Sequence, residues 1–266
     1  MQADPTRAAK ELLAFYLEAG VDCALDETPI DRLADMPPPS ALSPVPAAPV
    51  FAAPAAPASA PALATPDAAA ADARDAARNA KTLDELRTLM ADFDGCALKQ
   101  TASQLVFGDG NPKAKLMFVG EAPGRDEDIE GKPFVGRSGK LLDLMIAAIG
   151  FDRTSVYIAN VIPWRPPGNR TPTPQETQTC LPFIRRQIEL VDPDILVCLG
   201  NPSSQTLLGT KEGIMRTRGK WLEFDTGTRK IRAMATFHPA YLLRSPGYKR
   251  QAWQDFRAIK KALEAN

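Results

Sequence analysis

Four short apolar runs in the second half of the chain constrain its fold most: Lys115–Gly120 (KLMFVG), Val156–Asn160 (VYIAN), Ile195–Gly200 (ILVCLG) and Ile231–Phe237 (IRAMATF). Three of them are nearly continuous in apolar side chains, the pattern of strands buried on both faces. Helical patterns lie between the runs. Leu141–Ile149 stops at Gly150, a C-cap signal. Thr173-Pro174, followed by Glu176, makes a capping box with Pro at the first helical position, opening a helix to about Val191. A last helix is expected over about Lys249–Glu264. Strands alternating with helices predict the α/β class, a three-layer αβα sandwich around a four-stranded parallel sheet.

The first part of the chain is different in kind. Residues 1–95 hold 7 Lys/Arg against 15 Asp/Glu, and residues 96–266 hold 25 against 17, although the formal net charge is zero. An acidic arm joined to a basic domain suggests a polyanion partner for the domain, with a plain solvated basic surface as the alternative. Leu12, Leu13, Tyr16 and Leu17 fit one face of a short helix. Residues 1–35 are therefore read as a helical segment, either a docking peptide for a protein partner or a terminal helix without a role. Residues 36–72 are rich in Ala and Pro. Repeated Pro opposes helix and strand, and there is too little bulky apolar surface for a core, so a disordered linker is expected. A helix is predicted over 73–93, opening a folded domain at 73–266.

Cys23, Cys96, Cys180 and Cys198 are widely spaced and form no C-x-x-C. No signal-peptide pattern opens the chain, and no stretch of about 18 apolar residues could span a membrane. A cytoplasmic, reducing setting, no membrane partner and a monomer are the expectations.

Open parallel α/β sheets bind ligands beyond the carboxyl ends of their strands. After the first run comes Gly120-Glu121-Ala122-Pro123-Gly124-Arg125-Asp126-Glu127-Asp128. Asn160 ends the second run, Gly200-Asn201 follows the third, and His238-Pro239 follows the fourth. A carboxylate, an amide and an imidazole thus converge on one edge. His238 is the only histidine, which with such scattered cysteines builds no zinc site. There is no G-x-S-x-G elbow. The acidic cluster from Glu121 to Asp128 reads as a solvated loop, a helix N-terminus or a carboxylate metal site. Gly136-Arg137-Ser138-Gly139-Lys140 opens a helix and suits a phosphate, but it is not a Walker A loop.

Taken together, the blocks VFGDGNP, FVGEAPGRDEDIEGKPFVGRSGKLLD, VYIANVIPWRPPGNRTPTPQE and FHPAYLLRSP resemble the uracil-DNA glycosylase superfamily, most closely its family 4, over about Cys96–Phe256. The resemblance implies hydrolysis of the N-glycosidic bond of deoxyuridine flipped out of single- or double-stranded DNA, giving free uracil and an abasic site without lyase chemistry. It assigns Phe134 to stacking on the base and Asn160 to reading its Watson–Crick edge. His238 donates to uracil O2, assisted by the backbone N–H of Ala122. Glu121, with Glu127 assisting, stabilises the sugar cation or orients the water. Leu242 and Leu243 stand where the family inserts its wedge, and Ser138 and Arg244 where it contacts phosphates. A non-catalytic DNA-binding or repair-complex module on the same fold is the other reading, which would not need Glu121, Asn160 and His238 all intact. A relative that bonds covalently to the abasic product is known for a basic, histidine-bearing insertion, and none lies between Pro167 and Pro174.

Family 4 usually holds an iron–sulfur cluster on four cysteines. At those positions stand Cys96, Lys99, Trp164 and Cys180. Because such a cluster needs four thiolates, no cluster and no other cofactor are expected, with packing around Trp164 in its place. Cys198, inside a run, is expected in the core.

Overall fold

The computed structural model describes residues 66–265. The expected segment 1–35 and the linker up to residue 65 lie outside the described residues. Helix α1 (Pro66–Asn79) starts within the expected linker, so residues 66–72 are helical and that boundary is corrected. The reason is local. Pro66 is the last proline of the tract and takes the first helical turn, and the Ala-rich run after it has the highest helix propensity. Ala73 and Ala77 are buried with Phe107 and Phe183. The single helix expected over 73–93 is in fact two. Thr82 breaks it, its Oγ1 accepting from Glu85 N at 3.1 Å to start α2 (Leu83–Asp92).

Among the described residues the sheet has six strands, two more than expected: β1 (Asp109–Gly110), β2 (Leu116–Gly120), β3 (Tyr157–Asn160), β4 (Ile195–Leu199), β5 (Trp221–Asp225) and β6 (Lys230–Thr236), in the order β1-β3-β2-β4-β6-β5. The inner four are parallel, and they coincide with the four apolar runs. The outer two are antiparallel, β1 on β3 and β5 on β6, so the sheet is mixed. Both edges escaped the sequence for physical reasons. β1 is two residues long, and β5 is a largely exposed edge carrying Glu223 and Asp225.

Every residue of β2 is buried, and its side chains alternate between two cores. Leu116 and Phe118 join Leu142 and Ile146 of α5 (Arg137–Ala148) and Phe256 and Ile259 of α10 (Lys249–Glu264). Met117 and Val119 join Cys180, Ile184 and Ile188 of α6 (Pro174–Val191). Helices therefore cover both faces, as the expected sandwich requires. Short helices α3 (Leu98–Thr101), α4 (Arg125–Glu130), α7 (Asn201–Leu208), α8 (Ile214–Thr217) and α9 (Pro239–Arg244) lie in the connections. The capping box at α6 forms as expected, with Glu176 N donating to Thr173 Oγ1 at 3.2 Å and Thr173 N to Glu176 Oε2 at 2.7 Å. Among the described residues no helix is long and apolar enough to cross a membrane.

Candidate active site

A cavity of about 600 Å³ opens at the carboxyl ends of the parallel strands. Glu121, Phe134, Asn160 and His238 all line it, from four separate stretches of chain. Parallel pairing sets Gly120 of β2 beside Asn160 of β3. A Cβ on Gly120 would come 2.5 Å from Asn160 Oδ1 and 2.6 Å from the Phe134 ring. Glycine there leaves the space in which the amide and the ring meet.

Asn160 is 4% exposed, and its Oδ1 is buried with no hydrogen-bond partner among the described residues. An unmet buried acceptor typically costs about 1–3 kcal/mol, which a ligand donor would relieve. Phe134 has φ 56°, in the left-handed region, and its ring centroid lies 5.4 Å from that of His238. Backbone strain of this kind typically costs about 1–3 kcal/mol and persists only where the surroundings impose it.

His238 follows β6 and caps α9, its Nδ1 accepting from Ala240 N at 3.1 Å. With Nδ1 used as an acceptor, the neutral ring carries its proton on Nε2. Burial, and secondarily the charge of Arg244, pushes the histidine pKa down to about 4. Above that pH His238 is a neutral ring with one N–H left to donate. Glu121 is half-buried, and desolvation raises its pKa.

Glu127 differs from the sequence expectation. It is buried, and both carboxylate oxygens are committed: Oε2 accepts from Gly124 N, and Oε1 from Val135 N and Gly136 N, each at 3.0 Å. Such a carboxylate holds the loop after Phe134 and has little capacity left for a water. Leu242 is the second correction. It is 1% exposed, packed with Phe237 and Ala252. Helical spacing on α9 turns it inward and leaves Leu243 37% exposed. Ala122, Ser138 and Arg244 line the cavity. Ser138, Leu243 and Arg244 also line an adjoining cleft of about 530 Å³.

Sequence reasoning missed three neighbours. Arg125 and Arg137 join Arg244 around that cleft, and each stands in a block already singled out. Asn201 lines the cavity, its Oδ1 buried and unpartnered. Its signal was its place just past the third apolar run. In the acidic cluster, one carboxylate is already taken up by protein donors. Asp128 accepts from Ser103 N and Oγ at 2.8 and 2.9 Å, and no group of three or more His, Cys, Asp or Glu among the described residues could hold a metal ion.

The residues at the family's cluster positions do not fit a four-thiolate group. Cys96 and Cys180 are buried with their sulfurs 3.8 Å apart. Lys99 Nζ is paired with Asp94 at 2.6 Å, and Trp164 is 2% exposed in the same core cluster as the two thiols. Cys198 is buried in β4, and desolvation raises its pKa far above the ordinary thiol value.

A family model for the uracil DNA glycosylase superfamily matches residues 107–257. The chain is 41% identical over 183 residues to a type-4 uracil-DNA glycosylase of Archaeoglobus fulgidus, covering 67% of this chain and 92% of that one. It is 42% identical over 175 residues to the type-4 enzyme of Saccharolobus solfataricus, covering 64% and 81%. It is 43% identical over 169 residues to that of Thermotoga maritima, covering 62% and 86%. With a sheet of this order, a cavity at its carboxyl edge and these matches, the chain belongs to the uracil DNA glycosylase superfamily.

Proposed function

We propose that this chain is a monofunctional uracil-DNA glycosylase of the base excision repair type. The observation that carries the reading is His238, a neutral donor fixed by Ala240 N in the same cavity as the unpartnered acceptor of Asn160. A nucleotide flipped from the stack would place uracil against Phe134. Asn160 Oδ1 accepts from uracil N3–H, and its amide donates to O4. Cytosine presents the opposite pattern and would leave both groups unsatisfied.

As the N1–C1′ bond breaks, its electron pair goes to the base and spreads to O2, where His238 Nε2–H donates. A fixed donor to a developing anion stabilises the transition state more than the ground state. The sugar acquires oxocarbenium character, which the Glu121 carboxylate stabilises while orienting a water. Water oxygen bonds to C1′, and the proton that the water loses is passed by way of Glu121 to the departing uracil anion, giving an abasic site and free uracil. Ala122 N–H assists at the base. Ser138, Arg244, Arg125 and Arg137 contact flanking phosphates, and Leu243 enters the gap left in the stack.

The test is strand scission by alkali after incubation with an oligonucleotide carrying a single uracil. Scission at the uracil is expected, and none at high enzyme concentration would remove the reading.

We further propose that the chain works without an iron–sulfur cluster, on the two thiols and Trp164 described above. Stoichiometric iron and visible cluster absorbance in the purified protein would overturn this. A cytoplasmic setting, supported by the free thiols of Cys96, Cys180 and Cys198, and a monomer are part of the same proposal.

A further inference from the structure

We propose that Arg153 is a positioning residue that sets the Phe134 ring for stacking on the flipped base, an inference that rests on the glycosylase reading above. Phe134 holds a backbone conformation that a bulky side chain does not adopt unaided. Arg153, in the loop before β3, reaches across to it. Its Nη1 donates to the Pro133 carbonyl at 3.0 Å, and its Nη2 donates to the Phe134 carbonyl. The same guanidinium is anchored by Asp109 of β1 at 2.9 Å and Asp143 of α5 at 3.1 Å.

On the C-terminal side of Phe134 in the chain, Glu127 accepts from the N–H groups of Val135 and Gly136. The peptide groups before and after the strained residue are thus gripped by opposite charges, a cation on the carbonyls and an anion on the amides. Close packing completes the clamp, because a Cβ on Gly139 would overlap the Phe134 carbonyl. Arginine suits the task because a planar fork can serve two carbonyls and two carboxylates together. Lysine brings the charge without the fork. Edge strand β1 gains a purpose in this arrangement, since its pairing with β3 places Asp109 beside the guanidinium.

The test compares wild type, Arg153→Gln and Arg153→Lys on a single-uracil oligonucleotide, with hydrogen exchange measured on the same proteins. Misplacing a reacting or stacking group by about 1 Å can cost about a hundredfold in rate, so Arg153→Gln is expected to lower kcat by about ten- to a hundredfold. KM, set mainly by phosphate contacts, should stay within about threefold. Arg153→Lys should recover only part of the loss. Amides of residues 133–139 should exchange faster in Arg153→Gln, while β2 and β4 keep their protection. If Arg153→Gln unfolds, β2 and β4 lose protection too, and the Lys variant then decides. A kcat within about twofold of wild type, full recovery by lysine, or unchanged exchange over 133–139 would overturn the proposal. A wild type that does not cleave would remove the glycosylase reading instead, and the exchange result would still decide whether Arg153 holds Phe134.

Discussion

Asn160 and Trp164 stand four residues apart on the segment leaving β3, and their surroundings differ sharply. Around Asn160 an acceptor lacks a partner, Phe134 is strained, and an open cavity of about 600 Å³ remains. Around Trp164 the indole and two thiols are packed in the core. The first environment gives up stability to keep groups available for a ligand. The second is filled by one large side chain packed against two thiols. Function and stability are thereby separated along one short stretch, and substitutions on its two sides should separate as well.

The largest expected effect is on the packed side. Trp164→Ala empties a fully buried site, and such truncations typically cost about 3–5 kcal/mol. Denaturant unfolding would read this as a lowered midpoint. The comparison predicts that kcat, measured where the variant remains folded, is nearly unchanged. A large loss of kcat in folded Trp164→Ala would show that the two sides are coupled.

On the cavity side the expectation reverses. His238→Ala removes the donor to the leaving base, and loss of one such donor typically lowers kcat by about 10²–10³-fold. Its thermal midpoint should fall much less than that of Trp164→Ala, by the roughly 1 kcal/mol that loss of the α9 N-cap typically costs. Activity within a few-fold of wild type would remove His238 from its proposed role.

A smaller effect separates two adjacent residues. Leu243→Ala should lower cleavage of uracil in duplex DNA by about tenfold, and less in single strands, where no base step needs opening. Leu242→Ala should lower the unfolding midpoint instead, because Leu242 is core. Equal effects on single and double strands would take the wedge role from Leu243.

These contrasts also mark what could be read from residues alone. The four parallel strands were legible because burial on both faces demands continuous apolar runs, and the site edge followed from their polarity. The edge strands were not, since β5 lacks such a run and β1 is too short to show one. Glu121, Asn160 and His238 were legible from their places at strand ends. The inward turn of Leu242 and the commitment of Glu127 to three N–H groups depend on helix phase and loop closure, which no local pattern reveals. Arg153 was silent for the same reason, because its partners come from three separate stretches of chain, at Asp109, at Pro133-Phe134 and at Asp143.

The smallest predicted effect concerns pH, and it tests the cavity side from within. Desolvation raises the pKa of Glu121, so its carboxylate protonates at a higher pH than a free glutamate. The proposed role needs the ionised form. Activity should therefore fall, as pH is lowered, through the raised pKa of Glu121. His238 stays neutral down to about pH 4, so it should not set this limb. Its effect is on stability instead. A histidine whose folded pKa is depressed contributes stability that is present above its unfolded pKa near 6.5 and is lost as pH falls from there toward about 4. The two groups thus predict separable curves, one in kcat/KM and one in unfolding free energy. Glu121→Gln should remove the acid limb from the residual activity; because a carboxylate of raised folded pKa stabilises the fold as pH falls through it, the same substitution should steepen the loss of stability that His238 sets below pH 6.5. An acid limb of unchanged position in Glu121→Gln would mean that another group carries the charge facing the sugar.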